Sequence, residues 1–320
     1  MLHTNKKYHI KSLLPPHNQH STKYGFQGQQ KVDEISGEGN HYTAEFWEMD
    51  PRIGRRWNRD PLENKFPWQA PYTIFDNNPT NKIDPTGQSA SDPSTHTDKD
   101  GNVVAVKDDG DNGVYKHKGD IEETKKELKE NYNQKSNTSA GGEKMGTTKY
   151  WDEFLVPKED NSTPTDIAPN TKILFGTDWK ALVDWGNDHA NRQDLTITME
   201  ESKSNQLLDI KTNQQWAPPS SGGTMTGRLL NGQYSTARSA GNYLAGMNGI
   251  TGTIQGCHIS GITYMKLAGA YQVGELTKFN ILRIMTYGAQ FGPAPYYGEM
   301  NYSGRRIAEG IQSGKNKIGK

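Results

Sequence analysis

Apolar residues recur at helical spacing mainly in the second half of the chain. Trp179, Leu182, Val183 and Trp185 fall in one run, with Asp178 placed to start it, and predict a helix over 179–185. Positions 237–247 and Gly261–Gln272 read as helices carrying many small residues, which let backbones approach closely. Lys278–Tyr287 is the most apolar helix candidate, through Phe279, Ile281, Leu282, Ile284 and Met285. Positions 302–313 predict a short amphipathic helix, and 195–210 are expected to hold strands. Pro and Gly punctuate 218–223 and 291–297 as loops. Residues 171–320 therefore read as a mainly α (α+β) unit.

The first half lacks this periodicity. Residues 1–21 are polar and read as a disordered leader, and 22–87 predict a short β-rich segment of strands and turns. Residues 88–170 are rich in Asp, Asn, Ser, Thr and Gly and read as a polar linker. Inside it, 102–106 and 113–115 suggest a hairpin around Asp108, Asp109 and Gly110. Asp120 with Glu123 predicts a capped helix over 121–132, and 135–148 reads as a loop. The fold class expected is multi-part: a β-rich segment, a linker and a mainly α C-terminal domain.

Composition sharpens this picture. Only 32% of the 320 residues are hydrophobic, which limits how much of the chain can join a core. Cys257 is the single cysteine, so an intrachain disulfide framework and a thiolate zinc cluster are excluded. It is read as a small buried residue, and His258 as a helix-start or surface histidine, with a general base as its alternative role. No apolar signal-type segment opens the sequence, and no run of 18 apolar residues occurs. Export is then expected to need a dedicated secretion system.

The formal charge of zero hides a gradient. Residues 88–170 hold 11 basic and 17 acidic side chains, whereas 221–320 hold 10 and 3, a net +7. A basic C-terminal part suits a polyanionic target such as RNA, DNA or anionic lipid. A diffuse solvated excess is the competing reading.

Several motifs occur in order between 24 and 87. They are Tyr24-Gly25-Phe26-Gln27-Gly28, Asp50-Pro51-Arg52-Ile53-Gly54-Arg55, Asp60-Pro61, Asn77-Asn78-Pro79 and Asp84-Pro85-Thr86-Gly87. This succession resembles the end of the Rhs/YD-repeat core, the carrier of many polymorphic toxins. The resemblance implies a casing segment, with the weapon following it. It also implies a longer Rhs core or secretion apparatus as partner, a cognate immunity protein, and self-cleavage using Asp84, for which Asp60 is the candidate second carboxylate.

Familiar catalytic signatures are missing: there is no phosphate-binding loop of the Walker type, no His-Glu-x-x-His and no Gly-x-Ser-x-Gly. Asp98 to Asp109 has calcium-loop length, but Val103 stands where the loop needs glycine, so turns are expected there. Three polar clusters remain. Asp209 and Lys211 would share one face of a strand. Arg238 and Asn242 lie four apart on a helix, near Tyr234. Gln272 closes a small-residue helix, and Glu299 precedes a helix bearing Arg305.

These clusters are similar to the type 44 polymorphic toxin family, described as a predicted RNase. The family's Asp-x-Lys, Gly-Asn, Ala-Gly-x-x-Gln and late Gly-Asp/Glu elements fall at Asp209 and Lys211, Gly241 and Asn242, 268–272, and Gly298 and Glu299. The resemblance implies RNA as substrate. Asp209, Lys211, Arg238, Asn242 and Glu299 then become catalytic candidates, and Gln272, Arg305 and Tyr234 substrate-binding candidates. No cofactor or metal is called for. Two alternatives stay open: a hydrolase of peptidoglycan or its lipid precursor using Asp209 and Glu299, and a non-catalytic cassette that docks a partner.

Overall fold

The computed structural model describes residues 25, 29–44, 47–60, 70–75, 93–107, 111–131, 141–158 and 164–319. The leader, most of the first motif, Asn77 to Gly87 with Asp84, and the turn at Asp108 to Gly110 lie outside the described residues. The protein is mixed α+β, with three small sheets and eight α-helices among the described residues.

Near the N-terminus four short strands form an antiparallel meander: β1 (Gln30–Lys31), β2 (Tyr42–Thr43), β3 (Glu48–Asp50) and β4 (Arg55–Arg56), with α1 (Asp33–Ser36) between the first two. Strands and turns were expected here. The β3–β4 turn is set by side-chain chemistry. Asp50 accepts from the Arg52 amide and Nε, both at 2.9 Å. Gly54 takes the left-handed conformation that closes the turn. Trp47, Met49, Tyr42 and Phe75 make a separate small core.

The segment read as a polar linker is instead a second sheet. Its strands are β5 (Ser94–Thr97), β6 (Val103–Lys107), β7 (Gly113–Lys116) and β8 (Glu143–Thr147), in the order β6-β5-β7-β8, with α2 (Ile121–Asn131) following β7. The expected hairpin of β6 with β7 does not form, because β5 lies between them and pairs with β7 in parallel. β8 also replaces part of the expected loop. Polar composition concealed this sheet, since β5 is Ser-Thr-His-Thr and all four residues are buried. The capping box on α2 is present: Asp120 accepts from the Glu123 amide, and Glu123 accepts from the Asp120 amide, each at 3.0 Å. Asp98 spends its carboxylate on its own turn, accepting from Asp100 and Asn102, in line with the turn reading.

The third sheet, β11-β10-β9, comprises β9 (Ile173–Asp178), β10 (Gly227–Leu230) and β11 (Gln233–Thr236). Six helices belong to this part of the chain, α3 (Lys180–Ala190), α4 (Leu195–Glu201), α5 (Ala237–Thr251), α6 (Gly261–Gln272), α7 (Lys278–Tyr287) and α8 (Asn301–Ile318), and α5 packs on β10 and β11. Strands expected over 195–210 are absent. Asp194 accepts from the Thr196 amide and starts α4 instead, and turns follow. The main core gathers Trp179, Val183, Ile210, Leu230, Ala240, Leu244 and Met247. Burying each large apolar side chain there contributes about 1.5–3 kcal/mol.

The second and third sheets meet. Val114 packs with Phe154, Ile173 and Tyr234, and the Val103 amide donates to the Thr171 carbonyl. The closest helix contact is α5 on α8. A Cβ on Gly310 would overlap the Tyr243 carbonyl oxygen, and one on Gly246 would overlap the Ile307 carbonyl oxygen. Small residues thus bring these two backbones together; the close approach expected of 237–247 is made with α8, whose sequence predicts only a short amphipathic helix.

Candidate functional site

Strand β11 runs directly into α5, and Thr236 caps the helix by accepting from the Ser239 amide at 3.1 Å. This fixes Arg238 in the first turn, with Asn242 one turn on. The glycine contacts that draw α8 against α5 bring Glu299, just ahead of α8, toward the same place. The loop after α4 supplies the third part. Its Ile210 anchors in the main core, and the stem of Lys211 lies on Gly241, where an added Cβ would meet Lys211 Cγ at 2.7 Å. Gly241 is therefore what lets the lysine lie flat on α5.

Lys211, Arg238 and Glu299 are close enough for their charges to act on one another. Burial pushes the Glu299 carboxyl above its ordinary value, although the Met300 amide, Lys211, Arg238 and Ser303 all act to lower it. Burial also pushes the Lys211 ammonium down, and Arg238 adds to this, while Asp209 and Glu299 oppose it. A carboxyl raised and an ammonium lowered at one place have the chemistry an acid–base pair needs.

Asn242 is 6% exposed, and its Nδ2 has no hydrogen-bond partner among the described residues. Such a donor costs free energy unless something meets it. Arg238 has the Tyr302 ring 5.9 Å from its guanidinium, and among the described residues no ion pair. Glu299 also serves α8, since its Oε1 accepts from the Met300 amide at 3.1 Å. Tyr264 stands beside it. Burial, then the Glu299 charge, raises the phenol well above its usual range.

Other candidates are placed elsewhere. Asp209 is 3% exposed and accepts from the Asn205 amide at 2.8 Å, the Thr212 amide at 3.2 Å and the Thr212 hydroxyl. It holds its loop in shape and shares no strand face with Lys211, because no strand is there. Arg305 is paired with Asp152, and its guanidinium sits 3.9 Å from the Tyr150 ring centroid, so it is committed inside the protein. Tyr234 is a core residue, with Phe175 edge-on to its ring. Gln272 is exposed at the end of α6, and among the described residues no hydrogen bond ties it to the cluster. Cys257 is exposed, not buried, and His258 Nδ1 is bonded to the Gly252 carbonyl at 2.9 Å.

Sequence reasoning did not find a second polar chain. Ser94 Oγ meets His96 Nε2 at 2.8 Å, His96 Nδ1 meets His117 Nε2 at 3.0 Å, and His117 Nδ1 meets Glu127 at 2.9 Å. Both nitrogens of each ring are used, which leaves none to act on a substrate.

Comparison with protein-family models, curated proteins and solved structures found no match. Among the described residues no helix is long and apolar enough to cross a membrane.

Proposed function

We propose that the C-terminal part of this chain is a toxin module that cleaves RNA, carried behind the end of an Rhs-type core. The observation that carries this is the meeting of Lys211, Arg238 and Glu299 from three separate segments, with the buried Nδ2 of Asn242, one turn along α5 from Arg238, left unmet among the described residues. In this reading Glu299 takes the proton of a ribose 2′-hydroxyl. The 2′-oxygen then bonds to phosphorus, and the bond to the 5′-oxygen breaks. Arg238 and Asn242 hold the phosphoryl oxygens, and Lys211, its ammonium made more acidic by burial, protonates the leaving 5′-oxygen. Proton transfer from Glu299 to Lys211 resets the pair. The products are a 2′,3′-cyclic phosphate and a 5′-hydroxyl. The net +7 of residues 221–320 supports a polyanionic substrate.

A glycoside hydrolase of the cell wall is less well supported. It needs two available carboxylates, and Asp209 is held by donors of its own loop. The Rhs reading further proposes export by a dedicated secretion system and neutralisation by an immunity protein.

The test is expression of the chain in the cytoplasm and, separately, with an export signal. Cytoplasmic toxicity with degraded RNA, lost in Lys211→Ala and Glu299→Gln, is expected. Toxicity with intact RNA would sink the assignment.

A further inference from the structure

The corner of α6 and α7 leaves an apolar surface uncovered. Phe279 is 69%, Leu282 60% and Tyr287 83% exposed, and Tyr271, Val273 and Met285 are exposed beside them. Helix α7 has 10 residues and buries only Asn280 and Ile284. A helix this short is marginal in water unless an apolar face is covered, the usual threshold being about 12–15 residues. Exposed apolar patches of this kind mark contact sites.

Charge distinguishes the occupants. Helix α7 carries Lys278 and Arg283 and no acidic residue, and Arg283 lies 5.8 Å from the Phe279 ring centroid. The neighbouring Glu275 is engaged by Asn280 Nδ2 at 3.2 Å. A second copy would set Lys278 and Arg283 against their like, within a part of net +7. The pattern instead fits an interface-seated element: exposed hydrocarbon in Phe279 and Leu282, hydroxyl-bearing rings near the C-terminal ends of α6 and α7 in Tyr271 and Tyr287, and cations on α7 in Lys278 and Arg283.

We propose that residues 271–287 form a membrane-docking wedge, which seats Phe279 and Leu282 in an anionic lipid surface while Lys278 and Arg283 contact lipid phosphates. This goes beyond the nuclease reading and does not depend on it.

The experiment is co-sedimentation of the full chain with phosphatidylglycerol–phosphatidylcholine vesicles and with phosphatidylcholine alone, together with size-exclusion chromatography. Binding to the anionic vesicles only, weakened by salt, is expected. Phe279→Ser with Leu282→Ser should lower partitioning by about tenfold or more, as should Lys278→Glu with Arg283→Glu, with unchanged circular dichroism. Lys211→Ala should bind like the parent, which separates this proposal from the nuclease one. Absent binding to anionic vesicles, or binding indifferent to both double variants, overturns the wedge. So does a parent dimer that the Phe279/Leu282 variant converts to monomer, since that assigns the face to a second copy.

Discussion

Glu153 and Arg306, 153 residues apart in sequence, form an ion pair at 2.7 Å, with side chains 0% and 2% exposed. Burial would raise the Glu153 carboxyl, but Arg306, Ser239 and the Thr236 amide hold it below its ordinary value. The pair ties the segment after β8 to α8, and through Thr236 to the start of α5. It therefore supports the frame on which Arg238 and Glu299 are set. Glu153→Ala leaves a buried guanidinium without its main partner and should cost about 3–5 kcal/mol. Adding Arg306→Met should restore part of that loss. Urea unfolding of the single and double variants measures the coupling; strictly additive losses would mean that the pair does not act as a unit.

The proposed acid–base roles of Glu299 and Lys211 predict a pH–rate profile. Glu299 must be ionised to accept a proton, so activity rises as pH passes its elevated value. Lys211 must be protonated to donate, so activity falls as pH passes its depressed value. The plateau should be narrower than free Glu and Lys would give. Replacing either group should lower the rate by about 10² or more, and Glu299→Gln should also flatten the acid limb. An unchanged acid limb in that variant would remove Glu299 from the role of base.

Gly310 sets the spacing of α5 and α8. Gly310→Ala would gain about 1 kcal/mol of helix propensity. The added Cβ, however, overlaps the Tyr243 carbonyl oxygen, and the backbone cannot rotate away as a flexible side chain would. Overpacking of this kind costs about 1–3 kcal/mol. Net destabilisation is expected, with greater loss of activity than Ala308→Gly on the exposed side of α8. A higher melting temperature for Gly310→Ala would contradict the close approach.

The relay in the second sheet predicts acid sensitivity. Burial, reinforced by the charges of His117 and Lys107, lowers His96 from 6.5 to about 4. Between these values the unfolded chain binds the proton and the folded one does not, so stability is full above 6.5 and is lost as pH falls toward about 4. The loss should reach about 3 kcal/mol. His96→Gln should be less stable at neutral pH and show a shallower slope over that window. Parallel stability curves for the two proteins would remove His96 as the cause.

Local signals in the sequence were sufficient for several elements. Helix α7 lies at the predicted Lys278–Tyr287 and α6 at Gly261–Gln272, because apolar spacing and threonine or serine caps act within a few residues. The Asp120–Glu123 capping box likewise fixed the start of α2. Asn231–Gly232 was an unread local signal: both residues have positive φ and join β10 to β11. What failed was inference from hydropathy in the second sheet, where Thr95, His96 and Thr97 are buried through hydrogen bonding and strand pairing rather than apolar character.

By itself, the sequence determined the residue types of the candidate site, the helical face shared by Arg238 and Asn242, and the place of Glu299 before a helix, since each depends on neighbours in the chain. Tertiary structure alone decided which candidates meet. Asp209 and Lys211 are two residues apart, yet one is held by its own loop and the other is laid across Gly241 toward Glu299. Arg305 and Arg306 were drawn inward by Asp152 and Glu153, carboxylates some 150 residues earlier in the chain. Burial and pairing depend on contacts between distant segments, and no local pattern encodes which of two neighbouring charges will be neutralised and which left to meet a ligand.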